Sequence, residues 1–440
     1  MDNELLDLSS AIVDAWSTPG GPPPGAPEGP TNRVTNDLTE LDDGLAIIES
    51  FSNIVAIRTD AGLVLFDASS AFTGRGCVAS LRSWSDDPVH TLVYTHGHVD
   101  HVGGSAFLAA DAAARGFRAP VVIGHENVPP RFDRYRLTDG WNKAINARQF
   151  GPGFGGGMVG PDGEERPFLP AQTLECTELF DEALTIEVGG IEVQLHHDRG
   201  ETDDHTWAWI PRCERWRSGT SSRGCSPTPA TPEGAAVPGR LGGGAPADDR
   251  PRTGAAAAAH GLAVAGRARV ATVLGDLATA LERLVADVLA GMNAGATLDE
   301  IVHSVRVDDD LLRRPWLRPI YDEPEFVVRN TYRLFGGWWD GDPAHLKPPP
   351  SAALAAELAT LAGGVDALAA RAEACADAGD HRMACQLIEL AAQASEDPGI
   401  WRLRSRLYLD RAEHETSLMA KGVYAEAARA GSAHADTLGP

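Results

Sequence analysis

Thr95-His-Gly-His-Val-Asp-His-Val-Gly-Gly104 gathers three imidazoles and a carboxylate, His96, His98, His101 and Asp100, into one short stretch. Donors this close, spaced His-x-His-x-Asp-His, can serve two metal ions, and a two-metal site can ionise water near neutral pH. The residues before it, Thr91-Leu-Val-Tyr94, read as a short buried strand, and Ala106 to Ala114 read as a helix. The donors therefore sit on a strand-to-helix turn, where open α/β sheets usually place their chemistry. Gly97, Gly103 and Gly104 are expected to let the backbone turn tightly there.

The surrounding pattern fits that turn. Gly44 to Phe72 contains Ala46-Ile-Ile48, Asn53-Ile-Val-Ala-Ile57 and Gly62-Leu-Val-Leu-Phe-Asp67, apolar runs broken by Thr-Asp-Ala-Gly, which predict a hairpin and a following strand. Val78 to Trp84 reads as a short helix and Pro120-Val-Val-Ile-Gly124 as a strand. Leu184 to Leu195 reads as a hairpin around Gly189-Gly190, and Thr206-Trp-Ala-Trp-Ile210 as another strand. Strands alternating with helices make this half α/β. After about Ala271 the pattern is helical, with three- and four-residue apolar spacing in 277–290, 352–378, 382–394 and 400–412. The paired helices from 352 onward are packing or oligomerisation material. The expected organisation is an arm (1–37), an α/β domain (38–270), a helical domain (271–430) and a tail (431–440).

Composition narrows the function. The chain has 440 residues, enough for two domains, and a formal charge of -24. That acidity argues against nucleic acid, whose binders favour a basic footprint. Cys77, Cys176, Cys213, Cys225, Cys375 and Cys385 are scattered without a C-x-x-C pair, which reads as free thiols in a reducing compartment. The start, Met1-Asp-Asn-Glu-Leu-Leu-Asp7, lacks a basic segment with an apolar core, and no apolar run is long enough to suggest a membrane span. A cytoplasmic protein is the expectation.

The metal turn resembles the signature of the metallo-β-lactamase superfamily, and more narrowly the chain is similar to its alkyl-sulfatase branch. Gly124-His-Glu-Asn127 and Ile145-Asn-Ala-Arg-Gln-Phe150 are similar to segments that follow the motif there. Arg329-Asn-Thr-Tyr-Arg-Leu-Phe-Gly-Gly-Trp-Trp-Asp-Gly-Asp342 and Glu415-Thr-Ser-Leu-Met-Ala-Lys421 resemble the dimerisation domain of that branch. The resemblance implies an αβ/βα sandwich followed by an all-helical dimerisation domain, two zinc ions, a homodimer and an alkyl sulfate substrate. It further implies ligands. The superfamily takes a third ligand from a Gly-x-Thr turn, and this branch carries a carboxylate there. Gly200-Glu-Thr-Asp-Asp204 matches, so Glu201 is implied, with Asp204 or Asp203 orienting a ligand. A solvated turn carboxylate is the competing reading of Glu201. His260-Gly261 matches a late His-Gly turn.

One zinc would then take His96, His98 and Glu201, and the other Asp100, His101 and His260, with Asp100 also placed among the catalytic residues. His196 and His197 read as structural. Arg134 and Arg148 are candidates by position for the anionic ester oxygens, against the plainer reading of solvated surface arginines. The implied activity is hydrolysis of an alkyl sulfate by metal-activated water. Hydrolysis of another ester class is one alternative, and an impaired member of the family is another.

The last alternative arises from Arg212 to Ala259, where only Trp216, Val237 and Leu241 are sizeable apolar groups. By composition this segment cannot order a core of its own, and a structureless insertion of this length inside an α/β domain is uncommon. It falls where the family carries a Gly-Asp pair whose Asp bridges the metals. Codons for Gly219 to Thr231, read from the third base of Gly219, are compatible with D-L-F-x-W-V-F-P-N-A-G-N-P. Codons from Glu233 onward, read from the second base, are compatible with K-V-Q-R-Y-P-G-D-W-A-A-A-L. Both strings resemble the missing family segment, in the right order, which predicts a displaced reading frame. A natural low-complexity linker is the other possibility.

Overall fold

The computed structural model describes residues 3–18, 21–27, 33–151, 158–159, 165–211 and 255–439. Most of the aberrant segment, and the reading-frame question with it, lies outside the described residues.

Seven strands make the first sheet. They are β1 (Asp37–Asp42), β2 (Leu45–Glu49), β3 (Ile54–Thr59), β4 (Gly62–Phe66), β5 (Val89–Val93), β6 (Val121–His125) and, after a small β7–β8 ribbon (Met158–Val159 with Glu165–Arg166), β9 (Glu178–Phe180). The first four run antiparallel, and β4, β5, β6 and β9 run parallel. The alternation of side chains decides which core each residue enters. Leu45, Ile47, Val55, Ile57, Val64 and Phe66 point to one face, and there meet Val193, Leu195 and Ala208 of a second sheet. That sheet is β10 (Ala183–Val188), β11 (Ile191–His197) and β12 (Thr206–Trp209). Ile48, Ile54, Ala56, Leu63 and Leu65 point to the other face, under Cys77 and Leu81 of α2 (Gly74–Trp84), Leu108 of α4 (Ser105–Ala114), and Phe132 and Tyr135 of α5 (Val128–Leu137). Because both faces are covered, β2 and β4 are buried at every position. The two-sheet sandwich implied by the sequence is present.

The N-terminal stretch read as an arm holds a helix. Glu4–Trp16 is capped by Asn3, whose side chain accepts from Leu6 N, and it buries Leu5, Ile12 and Val13. The aberrant segment also ends sooner than its composition suggests. Ala255–Ala256 pairs with Val264–Ala265, and Ala257 and Ala259 are buried.

The helical half begins with Arg267–Asn293, whose Leu281, Leu284, Val285 and Val288 pack on Ile301, Val302, Val327, Val328 and Tyr332. The run 352–378 is two helices, Ser351–Ala362 and Val365–Asp377, bent by 86°. Gly363 and Gly364 make the break, both at positive φ. They pack with His381–Gln393 and Pro398–Glu413 around Leu368, Ala372, Ile388 and Leu407. The expected tail is helical too, since Leu418–Leu438 continues past Ala435, which is fully buried. This last helix packs closely on α6 (Asp139–Phe150): a Cβ on Gly422 would lie 1.6 Å from the Gln149 carbonyl oxygen. Among the described residues no single helix is long and apolar enough to cross a membrane. Cys77, Cys176, Cys375 and Cys385 are free.

Candidate metal centre

Parallel strands β4, β5 and β6 end on the same side of the sheet, and the polar residues that follow them converge there. After β5 the chain passes through Thr95–His98 into the one-turn helix α3 (Val99–Val102). The glycines of this turn are needed for room rather than for unusual dihedrals, because none of the three has positive φ. A Cβ on Gly104 would lie 2.0 Å from the Ala68 carbonyl oxygen, and one on Gly97 would lie 2.9 Å from Arg131 Cδ.

The structure brings all six expected donors into two adjacent triads, His96–His98–Glu201 and Asp100–His101–His260, with one donor atom per residue within 4.8 Å of its fellows. Glu201 Oε1 lies 3.2 Å from His98 Nδ1, and Oε2 lies 3.6 Å from His96 Nε2. Asp100 Oδ2 lies 3.4 Å from His101 Nε2 and 3.5 Å from His260 Nε2. The rings of His96 and His101, one from each triad, are 4.1 Å apart.

Hydrogen bonds fix three of the imidazole tautomers. Asp67 directly follows β4, and its Oδ2 accepts from the Thr95 hydroxyl at 2.8 Å and from His101 Nδ1 at 2.7 Å. Since the Thr95 proton is spent on Asp67, His96 Nδ1 must donate to Thr95 Oγ1, 3.1 Å away. His260 Nδ1 donates to the Phe51 carbonyl at 2.9 Å. All three Nε2 atoms are thereby left as lone-pair acceptors aimed into the cluster. His101 Nε2 and His260 Nε2 face each other at 3.1 Å, and His96 Nε2 is buried without a hydrogen-bond partner. Two such lone pairs cannot face each other bare, so either a proton on His101 or a metal cation must lie between them.

The electrostatics agree. Burial alone disfavours a charged His101, but Asp100 and Asp67 outweigh it and push the ring up to about 9. Burial and the surrounding imidazoles hold His96 well below the usual histidine range. Burial opposes the Glu201 carboxylate, yet hydrogen bonding and charge from His98, with His101 and His260, bring it down to about 2. The donor set and the orphaned nitrogen fit metal ions.

A buried network supports the triads. Asp204, fully buried, accepts from Gly97 N and Arg131 Nε, both at 2.9 Å, and from the Thr202 hydroxyl. It therefore ties the Gly200–Asp204 turn that carries Glu201 to the turn that carries His96 and His98. Asp203 is exposed and pairs with Arg131. Asn53 secures the His260 turn, donating to Ala258 O at 3.0 Å and Gly261 O at 2.8 Å. His196 stacks on Trp207 and His197 on His125, and neither belongs to a donor triad.

Arg134 and Arg148 are exposed, and among the described residues no hydrogen bond or ion pair joins either to the cluster. The arginine that reaches it is Arg131. It was missed, as was Asp67, although a carboxylate directly after a buried parallel strand marks the chemical end of such a sheet.

Comparison with known proteins places both halves. The family model described as metallo-beta-lactamase superfamily matches residues 47–219, and that described as alkyl sulfatase dimerisation matches residues 297–432. A linear primary-alkylsulfatase of Pseudomonas sp. is 27% identical over 368 residues, covering 79% of this chain and 67% of that protein. An (R)-specific secondary-alkylsulfatase of Pseudomonas sp. is 26% identical over 357 residues, covering 76% and 53%. The solved structure of the stereoselective inverting sec-alkylsulfatase Pisa1 from Pseudomonas sp. superposes with a TM-score of 0.74 at 22% identity, covering 91% of this chain and 66% of that one. The chain thus spans about half to two thirds of the length of these relatives. Residues 47–219 thus form a metallo-beta-lactamase superfamily domain, and residues 297–432 an alkyl sulfatase dimerisation domain.

Proposed function

We propose that this protein is a zinc-dependent hydrolase of alkyl sulfate esters that works as a homodimer. The observation that carries the reading is the pair of facing donor triads, set in a chain whose relatives are named as alkylsulfatases. His96, His98 and Glu201 would hold one ion, and Asp100, His101 and His260 the other. Divalent metal bound there supplies Lewis acidity, easing the ionisation of water near neutral pH and offsetting charge on the ester.

The chain's own residues prepare the site. Asp67 holds His101, Thr95 holds His96, and the Phe51 carbonyl holds His260, each with Nε2 toward the cluster. Asp204 and Arg131 keep the Glu201 turn against the His96–His98 turn. Arg131 is committed to two aspartates, so for the anionic ester oxygens we keep Arg134 and Arg148 as the proposed donors. Replacing either by Met should raise KM for an alkyl sulfate, and an unchanged KM removes it from the site.

A second reading, a member that keeps fold and donors without turnover, rests on the composition of residues 212–259, which fall where the family carries its bridging Asp. The deciding experiment loads the purified protein with zinc, counts ions per chain, and measures inorganic sulfate released from a short linear alkyl sulfate. Release that is lost in His96→Ala/His98→Ala supports the hydrolase. Zinc held by both triads, as judged by the ions lost in His96→Ala/His98→Ala and in Asp100→Ala, with no sulfate released sinks it and leaves the second reading.

A further inference from the structure

A separate set of donors lies between two helices of the C-terminal domain. His381 opens the His381–Gln393 helix, while Asp410 and His414 stand four residues apart at the end of the Pro398–Glu413 helix, with His414 as its C-cap. Four-residue spacing puts the last two on one helix face. His381 Nδ1 lies 3.0 Å from Asp410 Oδ2, and His414 Nδ1 lies 3.6 Å from Asp410 Oδ1. The two imidazoles stack with centroids 4.1 Å apart and planes 28° apart. One donor atom from each residue falls within 4.8 Å of the other two.

His414 Nδ1 donates to the Asp410 carbonyl oxygen at 2.8 Å, so its lone pair is on Nε2, but His381 is poorly satisfied by the protein alone. His381 Nδ1 is buried and makes no hydrogen bond among the described residues; its approach to Asp410 is not aligned as one. Leaving a buried polar atom unpaired is costly. Protonating both rings to pair with Asp410 would set two stacked cations against each other. A single metal cation removes both difficulties, since it takes lone pairs from the imidazoles and charge from the carboxylate.

We propose that His381, Asp410 and His414 form a metal site distinct from the catalytic triads, taking one divalent transition ion of the zinc class. Two imidazole nitrogens and one carboxylate suit that class, whereas calcium and magnesium prefer all-oxygen shells. His414 is half-exposed, which leaves room for water as a fourth ligand. The ion joins the start of one helix to the end of another, so its role is to clamp the helical domain. The site does not depend on the hydrolase reading.

The test uses the full chain, stripped with chelator and reloaded with zinc chloride, with zinc per chain measured after desalting. The variants are His414→Ala and Asp410→Asn, each made in the wild-type chain and in the His96→Ala/His98→Ala background. We expect His414→Ala and Asp410→Asn each to bind one zinc fewer per chain in both backgrounds, and to lose part of the zinc-induced rise in melting temperature. In the His96→Ala/His98→Ala background, cobalt(II) should give visible absorption that falls with His414→Ala by the share of one bound ion. Equal zinc content in the parent and in Asp410→Asn, which keeps shape and folding, overturns the proposal. So does a cobalt spectrum indifferent to His414.

Discussion

Replacing Asp204 by Ala tests whether a buried ion pair holds the metal turns together. Asp204 is fully buried, and its Oδ2 receives Gly97 N and Arg131 Nε, both at 2.9 Å, while the Thr202 hydroxyl also donates to it. Arg131 is 7% exposed, and burial works against its charge, which Asp204 and then Asp203 sustain. Removing one partner of a buried pair costs about 3–5 kcal/mol, because the survivor stays charged in a dry place. An orphaned Gly97 N–H adds about 1–3 kcal/mol on its own. These groups form one network, so the terms overlap, and we take about 4 kcal/mol in total. For a domain of this size class that corresponds to a melting temperature lower by about 8–16 °C. Calorimetry of the metal-free protein, following the transition of the α/β domain, measures it. The double change Arg131→Met/Asp204→Leu removes both charges and should recover much of the loss, since apolar replacements of buried pairs are often neutral. A shift under about 4 °C for Asp204→Ala, roughly 1 kcal/mol, refutes the reasoning. A double variant no more stable than Asp204→Ala refutes the pairing argument in particular.

Other outcomes follow from the same geometry. His96→Ala/His98→Ala should lose the zinc of the first triad by elemental analysis, and full retention would remove these residues as ligands. Asp67→Ala frees the His101 ring and should weaken zinc binding about 10–100-fold in chelator competition; an unchanged affinity would show that Asp67 does not orient it. Light scattering at micromolar concentration should give twice the 46.6 kDa chain mass, and a monomer defeats the homodimer. Resequencing the coding DNA across residues 212–259 should reveal a displaced frame, an expectation that a clean reading in the present frame ends.

Legibility followed sequence distance. His96, His98, Asp100 and His101 were readable because four donors fall within six positions between a strand and a helix. His260 contacts His101 across 159 residues, and Gly97 meets Asp204 across 107, so no local pattern joins them. A family resemblance supplied those partners instead. Asp67 shows the physical limit. A single carboxylate after a strand looks like any turn residue until Thr95 and His101 close over it and make it buried and acceptor-saturated. The sheet was easier to read, because β2, β3 and β4 are short apolar runs whose side chains alternate between two cores, which is a local property.

Arg131 is a different case, because its signal was local and was passed over. Val128, Arg131, Phe132 and Tyr135 recur at the three- and four-residue spacing of one helix face, and all four are buried. Arg134, a candidate by position for the ester oxygens, lies on the exposed face of the same helix. An arginine riding an apolar stripe is dry and needs a carboxylate, and a buried carboxylate needs a reason to be there. The facing turn offers Asp203 and Asp204 directly after the metal-donor residue Glu201. Helical phase on α5 therefore predicts an ion pair across to the Glu201 turn, and with it the support that sets the Glu201 carboxylate beside His96 and His98.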